Sequence, residues 1–197
     1  MLIEQTAVPG TALPVQGLKD HLRLGTGFTD DGMQDGLIES YLRAAMAQVE
    51  QRIGKALIAR RFLLTLEDWR DASGQSLPIA PVTAVVSVTL IDVAGVSTLV
   101  AAARYRLVPD MHRPRLASVG VLLPTVPNDG RAEVVFDAGF GATWAQVPAD
   151  LAQAVLMLAA EYYERRHEAG SVAGLPFSVQ ALIERWRNVR VLGGGTA

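Results

Sequence analysis

FDAGFGATWAQVPADLAQAV, residues 136–155, runs from an alternating apolar strand into a turn with two glycines one residue apart, then into a helical pattern after Val147 and Pro148. A glycine turn between a strand and a helix can cradle a phosphate, or it can let the backbone change direction. A dinucleotide fingerprint needs G-x-G-x-x-G, and a P-loop needs G-x-x-x-x-G-K-S/T. Gly139 and Gly141 supply only the first two glycines; Trp144 and Ala145 follow, and no lysine does. Residues 142–147 intervene before Pro148, so the glycines do not open the helix and its first amides cannot close around a phosphate. The stretch reads as a chain reversal, with φ > 0 permitted at both glycines. Trp144 then packs, and Pro148 presets the first turn of a helix.

Upstream of the turn the period is that of strands. RAEVVFDAGF places Ala132, Val134 and Phe136 on one face. STLV, YRLVP and SVGVLLP read as short strands, and DVAG as the close of a hairpin. Before it, LPIAPVTAVVSVTLID alternates Val86, Val88 and Leu90 with Ser87 and Thr89, its two prolines falling at the strand entry. FLLTLEDW puts Phe62, Leu64 and Leu66 on one side, and DASGQS reads as a turn.

Further upstream the period changes to that of helices. Leu37, Ile38, Tyr41, Leu42, Ala45, Val49 and Ile53 form a helical stripe with Gly54 as its closing residue. Asp31 and Gln34 before it resemble a capping box. A shorter helix fits Pro14 to Leu24. Downstream of the turn, Leu151, Ala154, Val155, Leu158 and Tyr162 make a seam, with Asp150 in the first turn and Arg165 and Arg166 in the last, as the helix dipole favours. A final helix starts near Phe177, with Val179, Leu182, Ile183 and Trp186 on its apolar face. Strands set between runs of helices predict an α+β fold with a segregated sheet.

A chain of 197 residues suggests one domain, burying about 70% of its unfolded surface. It has no cysteine, which removes disulfides, thiolate nucleophiles and cysteine-based zinc sites. Neither a signal peptide nor a membrane span is expected. The net charge of −2 argues against a broad cationic nucleic-acid footprint. All but two of the 18 basic residues are arginine, the exceptions being Lys19 and Lys55. A GC-rich genome gives that bias, and so do interfaces, where the guanidinium fork is favoured. Charged residues are 19% of the chain, below the average of about 25%. So apolar a chain is expected to hide surface against other subunits.

No catalytic, cofactor or metal site is expected. His21, His112 and His167 are far apart and match no ligand spacing. No nucleophile elbow occurs. Asp30 and Asp31 read as a cap and a solvated loop, and Glu67 and Asp68 as alternating across a strand, where they cannot share a proton. The end of the chain stands apart: RWRNVRVL places Arg185, Trp186, Arg187, Arg190, Val191 and Leu192 together. A solvated helix end is one reading. A docking tail is the other, because Trp and Arg are common anchors and an apolar tail can add a strand to a partner's sheet.

The order of parts resembles the head–tail connector (adaptor) proteins of long-tailed phages and related gene transfer agent particles. LKDHLRL at 18–24 is similar to the family's opening helix, and AMAQVEQRIGKALIARRFLLTLEDW at 45–69 to its long helix and first strand. LPIAPVTAVVSVTLID at 77–92 resembles its proline-marked strand pair, FDAGFG with VPADLAQAVLMLAAEYYERR its final strand, turn and helix, and LPFSVQALIERWRNVR its closing helix. The likeness runs from about residue 14 to 190, and the loop 101–116 matches only loosely.

The resemblance implies a single connector domain: a small helical bundle over 14–56 and 147–190, a β-rich insertion over 57–146 between the N-terminal and C-terminal helices, and a flexible C-terminal tail, 191–197. It implies a structural protein of the virion neck, not an enzyme, with no cofactor and no membrane, in a particle assembled in the bacterial cytoplasm. Its expected partners are the portal protein, a stopper or other neck protein, further copies in a twelvefold ring, and double-stranded DNA passing without sequence-specific binding. Arg185, Trp186, Arg187, Arg190, Val191 and Leu192 would then lie at the portal contact. The alternative is a small-ligand enzyme or binding domain of the α+β class with no identifiable motif, which predicts a closed pocket with converging polar groups.

Overall fold

The helix α2, Asp35–Ile53, organises one half of the molecule. The computed structural model describes residues 1–24, 34–120, 122–166 and 174–188. In α2, Ile38, Leu42, Ala45, Val49 and Ile53 are buried at helical spacing. Leu37, expected in that stripe, is exposed, because the core-facing arc begins one position later at Ile38. Gly54 closes the helix in the left-handed conformation (φ +67°), its N–H donating to the Glu50 carbonyl at 2.8 Å. The predicted capping box is not formed as expected: Gln34 is the N-cap residue, with no side-chain cap, and Asp31 lies outside the described residues.

Against α2 packs α3, Ala149–Glu164, through Leu151, Ala154, Val155, Leu158 and Ala159. The alanines let the two helices approach closely, and the Tyr162 hydroxyl donates to Gln48 Oε1 across them. The short helices α1, Val15–His21, and α4, Phe177–Ile183, cover the pair with Leu18 and with Val179 and Ile183. The expected long final helix ends at Ile183 and tightens into a 3-10 turn over Glu184–Trp186.

The other half is β structure with its own core. A five-stranded antiparallel sheet has the order β1 (Leu2–Glu4), β2 (Arg60–Leu66), β8 (Arg131–Ala138), β4 (Val82–Ile91), β5 (Ser97–Leu99). A smaller sheet, in the order β3 (Gly74–Ser76), β7 (Arg115–Ser118), β6 (Tyr105–Val108), contributes Leu116, Tyr105 and Leu107 to the same core. Phe62, Leu64, Ala132, Val134, Phe136, Val88 and Leu90 face it, as the period-two pattern predicts.

Several expectations shift here. DASGQS is a turn only at its start, since its last residues form β3. β7 precedes the stretch SVGVLLP, whose described residues beyond Ser118 are not strand. Val86 is exposed rather than aligned with Val88, because irregularities at Val82/Ala84 and Val85/Ser87 rephase β4 against β8. Glu67 and Asp68 lie past the end of β2, so strand alternation does not govern them; Asp68 Oδ1 accepts the Trp69 N–H.

Two stretches of chain pass between the halves side by side. On the way in, Glu50 of α2 accepts the Leu57 N–H at 2.6 Å and grips the Arg60 guanidinium at 2.9 and 2.7 Å, and Arg60 Nε reaches Glu4 at 2.8 Å. This buried, bidentate pair fixes helix to sheet. On the way out, the Ala59 N–H donates to the Gly141 carbonyl at 2.8 Å and the Phe140 N–H to the Leu57 carbonyl at 3.2 Å. Gly139 has φ +139°, and a Cβ there would lie 2.4 Å from Ala59. Gly141, also permitted a positive φ, does not adopt one. Its lack of a side chain serves packing, because a Cβ would lie 2.4 Å from the Gln146 side chain.

Candidate functional site

The Arg- and Trp-rich end was the sequence's best candidate, and its described part is anchored inside the chain. Trp186 is half-buried. Its indole Nε1–H donates to Asp150 Oδ2 at 2.7 Å, and its ring meets Phe140 edge to face at 5.5 Å and 86°. Arg185 Nε lies 2.8 Å from the same Asp150 oxygen, with its guanidinium 4.9 Å from the Trp186 ring centre. Arg187 donates to Glu184 at 2.9 and 3.0 Å. Of the six candidate residues, the structure therefore brings Arg185 and Trp186 onto one carboxylate and gives Arg187 a partner within its own turn. Arg190, Val191 and Leu192 lie outside the described residues.

Local folding explains the clamp. Asp150 sits in the first turn of α3 because Pro148 starts the helix, and the helix dipole favours its charge there. Phe140 is aimed at Trp186 by the two glycines that flank it. Both partners of Trp186 thus come from the strand–turn–helix stretch 136–155. Sequence reading gave Asp150 only a dipole role and Phe140 none. No spacing connects positions 140, 150 and 186; the available signal was a large aromatic residue between two glycines in a sharp turn.

Past Trp186 the chain meets a second fastening. Asn188 Nδ2 donates to the His112 carbonyl at 3.2 Å, and Arg113 Nε to Asn188 Oδ1 at 3.4 Å. The loop that holds it, 109–114, is itself pinned. Lys55, only 1% exposed just after Gly54, donates to the Met111 carbonyl, and its Nζ lies 3.2 Å from His112 Nδ1. Burial pushes the Lys55 ammonium below its ordinary range, with nearby Asp110 opposing. Asp110 accepts the N–H groups of His112 and then Arg113, both at 2.7 Å, which holds its carboxyl below the usual carboxylate value. The segment 186–188 is held from three sides: α3, the 140 turn and this loop. Lys55, Asp110 and Asn188 were not singled out from sequence.

Among the described residues no cluster of His, Cys, Asp or Glu could hold a metal ion. His21 and His112 lie in different halves, and His167 lies outside the described residues, as do Asp30 and Asp31. A groove of about 520 Å³ between α2 and α4 is lined by Gln48, Gln51, Arg52, Gly174, Leu175 and Gln180. It is open and offers amides and a guanidinium, not the closed pocket of converging groups that the ligand-binding alternative requires.

No family model matches the chain, and no curated protein matches it. Solved structures do. The chain is 60% identical to one in the neck of an empty GTA particle computed with C6 symmetry, covering 98% of each chain with a TM-score of 0.90. It is 56% identical to one in the neck of a native GTA particle computed with C12 symmetry, again over 98% of each, with a TM-score of 0.85. A chain in the virion of a native gene transfer agent (GTA) particle is 60% identical over 98% of each, with a TM-score of 0.87.

Proposed function

The chain belongs to the head–tail connector (adaptor) family of phage-like and gene transfer agent particles, and from that premise we propose that its C-terminal end docks on the portal protein within a ring of twelve copies. Its role is structural: it is a ring-forming connector of the particle neck, beside the portal and the DNA channel. The observation that carries this is an identity of 60% over nearly the whole of both chains with a neck component.

The clamp refines the docking proposal. Trp186 gives its one polar group to Asp150 and Arg187 is paired with Glu184, so at the portal contact these two act by aiming the segment that follows, whereas the Arg185 side chain stays 70% exposed beside Asp150. Arg185, Arg190, Val191 and Leu192 are the residues left to touch the portal. A stopper or other neck protein seats on the opposite side of the ring. Double-stranded DNA passes through without sequence-specific binding, and the near-neutral charge of −2 suits passage, since a strongly cationic wall would retain phosphates. Assembly takes place in the bacterial cytoplasm.

Deleting residues 189–197 tests the docking. The expected outcome is particles whose heads lack tails, while the truncated protein keeps the thermal midpoint of the full chain. Heads that still carry tails at the normal frequency would overturn the tail-docking proposal, and a purified particle whose neck lacks this chain would overturn the connector role altogether.

A further inference from the structure

The large sheet ends in two edges that are open, short and almost uncharged. At one edge, residues 93–103 contain no charged side chain. All are exposed except Val100, with Val93 at 76%, Val96 at 61% and Leu99 at 69%. Sheet edges are ordinarily blunted by charge, proline or a covering element, and this ribbon has none of these. At the other edge, β1 exposes Ile3 at 41%. Resting on the ring reading above, we propose that β5 of one copy pairs with β1 of the next, so that the large sheets join head to tail around the ring.

The backbone supports this register. Met1 and Thr65 exchange hydrogen bonds, and the Gln5 N–H donates to the Arg61 carbonyl, so Leu2 and Glu4 turn their N–H and C=O groups outward. On β5, Val96 and Val100 bond to β4, so Ser97 and Leu99 turn theirs outward. β1 and β5 run in the same direction, because they lie at the ends of an antiparallel five-strand order. Neighbours in a many-membered ring differ by a small rotation, so the joint is parallel. Parallel pairing through these groups sets Leu99 beside the neighbouring copy's Ile3, with both side chains on the face away from the β core.

Glu4, next to Ile3, already holds Arg60 within its own chain, so the outward backbone groups and the apolar Leu99–Ile3 pair carry the contact. Five strands at about 4.8 Å each advance roughly 24 Å per copy, so twelve copies close a circle about 90 Å across at the sheet. Three-residue edges bury far less than the roughly 1,200 Å² of a free-standing complex. The contact therefore closes only where the portal gathers the copies, and the isolated chain is a monomer.

The absence of native cysteine makes the test clean. Particles carrying the double variant Ile3→Cys/Leu99→Cys are treated with a short bismaleimide. The expected result is a covalent ladder that extends beyond two copies, whereas each single variant yields monomer. A double variant present in purified particles that gives no ladder overturns the joint while leaving the ring reading intact; a chain missing from wild-type particles overturns the ring reading instead. If the double variant does not enter particles, Leu99→Lys decides. It is expected to keep the thermal midpoint of the free chain and lose incorporation, and normal incorporation overturns the proposal.

Discussion

The C-terminal turn and the β4–β5 hairpin are both candidates for contact with other proteins, and they differ in what their side chains already do. The turn is rich in Arg and Trp, the residue types that usually mark an interface, yet Asp150, Glu184 and Phe140 engage all three of its described candidates. The hairpin has plain valines, alanines and a leucine, and within the chain it leaves both side chains and backbone groups uncovered. Residue type marks a contact surface only after internal partners have been subtracted. On that basis substitutions in the turn cost stability, and substitutions in the hairpin cost assembly.

The largest effect is expected at the joint that supports the turn. Gly139→Ala places a methyl group 2.4 Å from the Ala59 backbone at φ +139°, and neither strand can retreat without breaking the Ala59–Gly141 hydrogen bond. A loss of about 4 kcal/mol is expected, read as a fall in the denaturation midpoint or as failure to fold. A near-normal midpoint would show that Phe140 is not held by this crossing. Next comes Trp186→Ala, which removes the Phe140 contact and the Asp150 hydrogen bond together. Because Trp186 is half-buried, about 2–3 kcal/mol is expected, below the cost at a core site. Leu99→Lys, by contrast, should leave the midpoint of the free chain within about 0.5 kcal/mol. If the two variants changed stability alike, the contrast between turn and hairpin would fail.

The same contrast explains what the sequence could and could not reveal. Periodicity located α2 and α3, and the alternation of Ala132, Val134 and Phe136 located β8, because burial of one face imposes a period that survives in the sequence. Gly54 and Pro148 mark helix ends because each satisfies a local backbone requirement. Val86 was misplaced because an irregularity in strand pairing changes phase without leaving a compositional mark. Of the two glycines permitted a positive φ, only Gly139 uses it, while packing against Gln146 is what excludes a side chain at Gly141. The clamp was illegible for a different reason: Phe140, Asp150 and Trp186 meet only through tertiary packing, and the resemblance to connectors fixed the order of parts without fixing contacts. The exposed hairpin was readable as a run without charge, but an apolar run looks the same buried or bare.

The smallest expected effect concerns the loop that holds Asn188. Asp110 is held below its ordinary value chiefly by the N–H groups of His112 and Arg113, aided by the charges of His112 and Lys55. A carboxylate whose folded value is depressed contributes stability above the unfolded value of about 3.9, and that stability is lost as pH falls through the folded one. Acidification below about pH 4 should therefore release the His112 and Arg113 amides and loosen the seat of Asn188, while α2 and α3 stay intact. Amide chemical shifts followed from pH 6 to pH 2.5 would show it. The His112 and Arg113 signals should titrate together in the wild type, and that shared step should vanish in Asp110→Asn, whose side-chain oxygen still accepts but does not ionise over that range. If the step persists in that variant, another group governs the loop, and Asp110 does not hold the seat of Asn188.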